Sequence, residues 1–320
     1  MINKRSKIFI AGHNGQVGNA VFNKFKKEGY QNLITVPKKK LNLLNQSDVD
    51  LFFKKKKIDY LIMCAARVGG IMYNNSHPTE FLYENMMIQA NLLKAAFKNK
   101  LKRTIFLGTS CIYPKFAKTP IKEEYLLTGI LEKTNEWYAI AKISGIKLCE
   151  ALYKQYNFDV VCLMPTNMYG GKDNFDNFNS HVMPGIITKI AHSKKNNLSK
   201  VELWGTGKPK REFLFVEDLA DAIYLVIKKS RKDIDFNKKK RFPIFNVGSG
   251  EEISIKELAK KIKKIFNYKG SIFFNNNYPD GTAKKNLDST KIRKIGWKPK
   301  IKLKEGLKKT IKNFIIQNNY

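Results

Sequence analysis

Acidic residues are scarce in this chain: 27 aspartates and glutamates stand against 60 lysines and arginines, a formal charge of +33 over 320 residues. Arginine is scarcer still, with seven against 53 lysines. Surfaces built to read phosphates favour the planar arginine fork, whereas these lysines come in short scattered runs, Lys38 to Lys40, Lys54 to Lys57, Lys238 to Arg241 and Lys260 to Lys264. The charge therefore reads as solvated faces that attract small anions, and nucleic acid is not an expected partner. Cysteine is limited to Cys64, Cys111, Cys149 and Cys162, with no Cys-x-x-Cys spacing. No zinc or dithiol site is expected. Long apolar runs are missing too, and Met1 to Lys7 leads into a short strand rather than a signal core. A cytoplasmic protein away from the membrane is the expectation. There is no internal repeat, and the one candidate flexible segment is Ser230 to Arg241.

What is present is a 43% apolar share, enough for a sizeable core. Lys7-Ile-Phe-Ile-Ala11 ends in Gly12-His-Asn-Gly15-Gln-Val-Gly18, after which Val17, Val21, Phe22 and Phe25 recur on one helical face. Gly29 stops that helix. Further strands are predicted at Asn32 to Val36, Asp59 to Ala65, Arg103 to Gly108 and Phe158 to Met164, with helices over 78–99 and 137–156. This alternation predicts a doubly wound parallel sheet. Strand-like pieces at Val201 to Trp204, Phe242 to Val247 and Ser271 to Phe274, with helices near 216–229, 254–266 and 303–317, predict a smaller lobe.

A glycine loop directly after the first strand and opening a helix can turn backbone N–H groups toward a pyrophosphate. The acidic residue that selects NAD at the end of the second strand is missing. Val36 is followed by Pro37-Lys38-Lys39-Lys40, and lysines there suit the 2′-phosphate of NADP.

Tyr138-Ala-Ile-Ala-Lys142 places a phenol and an ammonium on one helical face. In a chain this rich in lysine the spacing arises by accident, and it occurs again at Tyr224 and Lys228. Context separates the two. The first pair follows Gly108-Thr109-Ser110-Cys111 at the end of the fourth strand, the sheet edge where ligands sit. The second fits a packed tyrosine beside a solvated lysine. Where Tyr138 and Lys142 share a pocket, the cation is expected to bring the phenol closer to working pH.

The glycine loop, the hydroxyl-bearing strand end and Tyr-x-x-x-Lys, in this order, resemble the extended short-chain dehydrogenase/reductases over nearly the whole chain. The runs Phe9 to His13, Ala65 to Ile71, Leu107 to Pro114, Pro165 to Gly170, Ser180 to Pro184 and Trp204 to Phe213 are similar to one branch of that family. Its members convert GDP-4-keto-6-deoxy-D-mannose to GDP-L-fucose, epimerising C3 and C5 before reducing C4 with NADPH. The resemblance implies a Rossmann-type doubly wound sheet (1–164, with the chain returning to it later), a smaller C-terminal α/β substrate lobe (mainly 165–320), a GDP-sugar substrate and a homodimer.

By the same resemblance, Tyr138, Lys142, Thr109, Cys111 and His181 are catalytic. Tyr138 and Thr109 act at the C4 oxygen, Lys142 holds the nicotinamide ribose, and Cys111 with His181 exchange the epimerised protons. The cofactor is held by Gly12, His13, Asn14, Gly15, Gln16, Val17, Gly18, Lys38, Lys142, Pro165, Thr166, Asn167, Met168 and His181. The nucleotide sugar is held by Lys189, Trp204, Arg211 and Asp280. Thr109 stands where the family usually has serine, and keeps the hydroxyl. Asn14 stands where an arginine commonly meets the 2′-phosphate, which leaves that task to Lys38 and its neighbours. Taken alone, Cys111 also fits a packed thiol, His181 a helix-start residue and Trp204 a core residue. Two other readings stay open: another nucleotide-sugar 4-reductase or 4-epimerase of the same superfamily, and a cofactor-sensing or nucleic-acid-binding protein on a retained dehydrogenase scaffold.

Overall fold

The structure is a computed structural model that describes residues 2–176, 180–235, 241–278 and 280–318. Lys238 to Lys240 of the basic stretch lie outside the described residues. The first half alternates as β1 (Ile8–Ala11), α1 (Gln16–Lys27), β2 (Leu33–Ile34), α2 (Gln46–Lys56), β3 (Tyr60–Met63), α3 (Ile71–Ser76), α4 (Pro78–Lys98), β4 (Arg103–Leu107), α5 (Glu136–Tyr156) and β5 (Val160–Pro165). Then follow β6 (Asn167–Tyr169), α6 (Val182–Lys195), β7 (Lys200–Trp204), β8 (Lys210–Phe215), α7 (Val216–Lys228), α8 (Arg231–Ile234), β9 (Ile244–Val247) and β10 (Glu252–Ser254). The last elements are α9 (Ile255–Phe266), β11 (Ser271–Asn275), β12 (Lys284–Lys285), α10 (Thr290–Lys294) and α11 (Leu303–Asn318).

Six parallel strands form the main sheet in the order β2-β1-β3-β4-β5-β9. Its central strands β1, β3, β4 and β5 are buried at every position, and apolar apart from Arg103 and Thr104 at the start of β4, because helices cover both faces. Ile8, Ile10, Ile62, Ile105, Leu107, Val161 and Leu163 pack with α1 and α7, while Phe9, Ala11, Leu61, Met63, Phe106 and Cys162 pack with α2, α4 and α5. Strand order reverses between β1 and β3, which opens the crevice where α/β sheets take ligands.

The predicted doubly wound sheet is thus present, with one correction. The piece at 242–247 belongs to the main sheet, where β9 pairs with β5 in the register Pro165↔Val247, and α7 packs against α1 beneath that sheet. Periodicity identifies a strand but is silent about its partner. The smaller lobe consists of a four-stranded sheet (β6, β8, β10, β12), the parallel pair β7 and β11, and a third core under α6, α9 and α11. Helix α9 shows how locally this lobe is encoded. Ser254 and Glu257 form a reciprocal capping box, and Ile255, Leu258, Ala259, Ile262 and Phe266 make its buried face.

Glu212 on β8 joins the two parts. It is fully buried, its carboxylate accepts from the Gly250 and Leu287 amides at 2.6 and 2.9 Å, and its carbonyl accepts from Thr166 Oγ1 and Asn167 Nδ2 at 3.2 and 2.9 Å. Burial pushes its carboxyl above the usual range, against the pull of the amides it accepts from.

Candidate active site

At the C-terminal end of β1 the backbone turns through Gly12 with φ +86°, and a Cβ there would sit 2.6 Å from the Ala65 amide nitrogen beyond β3. Gly18 on α1 is as constrained, since its Cβ would meet the Gly12 carbonyl oxygen at 2.2 Å. The turn and the helix therefore press against each other only because both residues are glycine. Gly15 is the N-cap of α1 and offers no side-chain bond, so the first-turn N–H groups stay free for an anion. This cradle fits a dinucleotide pyrophosphate.

Around it, burial and the Lys172 charge hold His13 below its ordinary range, and Gln16 Nε2 donates to the Gly170 carbonyl at 2.9 Å. Val17 packs into the core under the sheet, and Asn14 and Lys38 are exposed. Pro165 and Thr166 are buried at the end of β5, with Asn167 and Met168 half-buried on β6.

Beyond β4, Thr109 caps a single 3-10 turn (Ser110–Ile112), and its Oγ1 accepts from the Cys111 amide at 3.3 Å. Tyr138 and Lys142 lie one turn apart on α5. Helix α5 comes close to the sheet and to α4 at Gly145, where a Cβ would lie 2.5 Å from Gln89 Oε1 and 2.6 Å from the Phe106 ring. The Tyr138 ring meets Phe81 edge-on at 6.2 Å, and it is half-buried where solvent reaches a side chain surrounded by protein. Burial pushes its phenol well above the ordinary tyrosine range, and neighbouring Cys111 adds to the shift.

That direction is opposite to the expected tuning by Lys142. The ammonium of Lys142 donates to the Leu107 carbonyl at 2.8 Å and stands 5.9 Å from the Tyr138 ring centroid. Sharing a helical face did not make the two groups partners. Lys142 is itself drawn out of water, and burial lowers its pKa to about 8 against the partial opposition of Cys64, Cys149 and Cys162.

Cys111 is half-buried, and Asn135 Nδ2 donates to its Sγ at 3.5 Å. From the smaller lobe, the Arg211 guanidinium comes within electrostatic reach of Cys111, Asp280 and Glu132, and burial lowers its own pKa. His181 is the N-cap of α6 and makes no capping bond. The residue is exposed to solvent, yet enough protein surrounds its ring that burial holds it below its ordinary pKa of 6.5. Among the described residues it makes no hydrogen bond to Cys111 or Tyr138.

The expected substrate residues cluster on the lobe. Lys189 Nζ sits 4.2 Å over the Trp204 ring, which is exposed rather than in the core and stacks on Tyr278 at 4.6 Å. Asp280 accepts from the Thr206 amide and hydroxyl at 2.9 and 2.5 Å. Sequence reasoning missed Asn135, Tyr278 and Glu212. Asn135, three residues before Tyr138, carried the one usable signal. Cys149 and Cys162 are buried, and burial pushes the half-buried Cys64 thiol up to about 12. No three metal-binding side chains converge among the described residues.

Residues 8–248 match the model of the NAD dependent epimerase/dehydratase family. The chain belongs to that family. Within the NAD dependent epimerase/dehydratases, it is 44% identical to GDP-L-fucose synthase 1 of Arabidopsis thaliana, covering 97% of this chain and 93% of the relative. It is 43% identical to GDP-L-fucose synthase of Escherichia coli strain K12, covering 97% of each. Among solved structures, the GDP-mannoheptose C4 reductase of Campylobacter jejuni with NADP bound is 36% identical, with a TM-score of 0.88 over 98% of this chain and 99% of that one.

Proposed function

We propose that this chain converts GDP-4-keto-6-deoxy-D-mannose to GDP-L-fucose, as a 3,5-epimerase and an NADPH-dependent 4-reductase. One observation carries the reading beyond fold: a thiol, Cys111, lies within electrostatic reach of the half-buried Tyr138 phenol at the sheet edge, a group that a plain reductase does not need. The near-full-length identity to two GDP-L-fucose synthases supports the same assignment.

C3 and C5 both flank the C4 ketone, so their protons are acidic and removal at either carbon gives an enolate. Cys111 and His181 take a proton from one face and return one to the other. His181, held neutral near pH 7, can accept a proton. Tyr138, held protonated by burial, can donate one. NADPH, when bound, supplies the hydride for C4. Tyr138 then delivers the proton that the C4 oxygen needs, with Thr109 donating a hydrogen bond to that oxygen, so ketone plus hydride plus proton gives the alcohol. Gly12, Gly15 and Gly18 cradle the pyrophosphate, Lys142 holds the ribose, and exposed Lys38 meets the 2′-phosphate. His13, Asn14, Gln16, Val17, Pro165, Thr166, Asn167, Met168 and His181 complete that site. Lys189 and Arg211 take the sugar-nucleotide diphosphate, Trp204 with Tyr278 offers an aromatic platform, and Asp280 orders the loop at Thr206 and reaches a hydroxyl.

We further propose that the protein acts as a homodimer in the cytoplasm. Four free cysteines suit a reducing compartment, and among the described residues no helix is long and apolar enough to cross a membrane.

Incubation with GDP-4-keto-6-deoxy-D-mannose and NADPH in D2O tests the assignment. NADPH is oxidised, GDP-L-fucose forms, and deuterium enters C3 and C5. In Cys111→Ser, 4-reduction of the unepimerised sugar persists while deuterium uptake falls steeply. Reduction by the wild type without uptake at either carbon would leave a 4-reductase, the activity named for the Campylobacter neighbour.

A further inference from the structure

Asn135 is the N-cap of α5, the helix that carries Tyr138 and Lys142, yet its side chain makes no capping bond. Asparagine is among the better capping residues, and although the Lys133 carbonyl of the preceding 3-10 turn takes the Glu136 N–H, the next N–H groups of the first turn forgo the bond that the Asn135 side chain could give. The amide turns instead to Cys111, with Nδ2 at 3.5 Å from Sγ. That orientation carries a second penalty, because Asn135 Oδ1 is buried without a partner. A side chain that forgoes its cap and strands its carbonyl oxygen is held by something else. Among the described residues, the sulfur is the one hydrogen-bond partner of this side chain.

We propose that Asn135 is a positioning residue for Cys111, whose amide N–H fixes the sulfur beside Tyr138 and stabilises it when it has given up its proton. An N–H donor favours an anionic acceptor over a neutral one, so the contact strengthens as the thiol ionises. Two titratable or charged groups from neighbouring elements interact electrostatically with Cys111, the Tyr138 phenol on α5 and the Arg211 guanidinium on β8. Arg211 supplies charge from the smaller lobe. Asn135 supplies direction from the same helix as the reductive acid, which ties the two half-reactions to one element. The consequence for turnover rests on the epimerase reading of Cys111, whereas the contact itself does not.

The test uses Asn135→Ser and Asn135→Asp in the full chain. Both residues cap helices well, so α5 keeps or improves its start, and neither donates an amide N–H to the sulfur. Iodoacetamide labelling of Cys111 is followed across pH with no substrate present and located by peptide mass. Cys149 and Cys162 are buried and Cys64 is pushed up to about 12, so Cys111 dominates the signal. In Asn135→Ser, labelling near neutral pH slows by about threefold to tenfold, the size of losing one hydrogen bond to a partly solvated anion, and the profile moves to higher pH. Asn135→Asp moves it further, because a carboxylate repels the thiolate. Deuterium uptake at C3 and C5 falls in parallel while NADPH affinity holds. Melting temperatures at or above that of the wild type, together with these shifts, support the proposal. A labelling profile unmoved in both variants overturns it, as does a move to lower pH, which would mean that the thiol donates to Oδ1. Shifted labelling in a protein whose wild type exchanges no sugar proton keeps the contact and rejects the epimerase assignment.

Discussion

Tyr138 with Lys142 and Tyr224 with Lys228 have the same spacing on helices of the same chain, and the structure gives them opposite surroundings. Lys142 is 5% exposed, its charge turned to a strand carbonyl and its pKa lowered to about 8. Lys228 is exposed and lies 4.8 Å over the Tyr224 ring, which Lys24 also approaches at 4.9 Å. The Tyr224 hydroxyl is occupied by Glu28 at 2.9 Å. Tyr138 donates to no protein acceptor among the described residues and keeps its proton by burial. A hydroxyl already bonded to a carboxylate holds structure together, while one that is withdrawn from water and unclaimed can act on a ligand. Spacing is common to both pairs, so what distinguishes a site is the unspent hydrogen bond.

The largest test of that distinction is the matched pair of phenylalanine variants. Tyr138→Phe removes the proposed proton donor for C4 and should lower the rate of NADPH oxidation with the 4-keto sugar by about 10²- to 10⁴-fold, the usual contribution of a positioned acid. Tyr224→Phe stays within about twofold of wild type, since its ring and the sheet above it are unchanged. Equal losses in the two would erase the contrast.

A smaller effect separates the lysines. Lys142 loses its proton as pH rises through about 8, so NADPH affinity measured by fluorescence titration holds below that point and weakens above it. Lys142→Met is weaker by about tenfold and flat across the range. Lys228→Met binds as wild type at every pH. The sign of the stability effect follows from the same shift. Because the folded pKa lies below the unfolded value of 10.5, the burial cost of the charge is present in full below about 8 and is relieved as pH rises from there toward 10.5.

The sheet and the cofactor loop were legible because their residues answer local questions. β1, β3 and β5 are apolar on both faces, as is β4 beyond Arg103 and Thr104, and Gly12 and Gly18 sit where backbone meets backbone. Partnerships across the chain were not legible. β9 reads as a strand of the smaller lobe until it is seen beside β5, and short β6, β10 and β12 carry too few residues to show a period. Trp204 and Tyr278 meet across 74 positions with no local signal. The candidate residues came from resemblance, and the structure adds what resemblance lacks: Lys142 faces Leu107, and Asn135 faces Cys111.

The smallest predicted effect belongs to the structural pair and is one of stability. Tyr224→Phe keeps the edge-on ring contacts with Phe25 and Tyr30 at 5.4 and 6.2 Å and removes the bond to Glu28 together with a lesser hydroxyl contact with Tyr30. Glu28 is part of a chain of charges, with Lys24 at 2.8 Å and Lys24 in turn 2.9 Å from Asp221. Its pKa is held below 4.5 first by the bond from Lys24 and then by the one from Tyr224. The carboxylate is partly exposed, so urea unfolding at neutral pH should show a loss at the lower end of the usual range, about 0.5–1 kcal/mol. A carboxylate with a depressed folded pKa gives stability that is present above the unfolded value and lost as pH falls through the folded one. The gap between wild type and Tyr224→Phe therefore narrows as the pH drops below 4.5. A gap that stays constant into acid would place the bond's worth in the ring's packing rather than in the ionised carboxylate, and the second pair would be structural for a different reason.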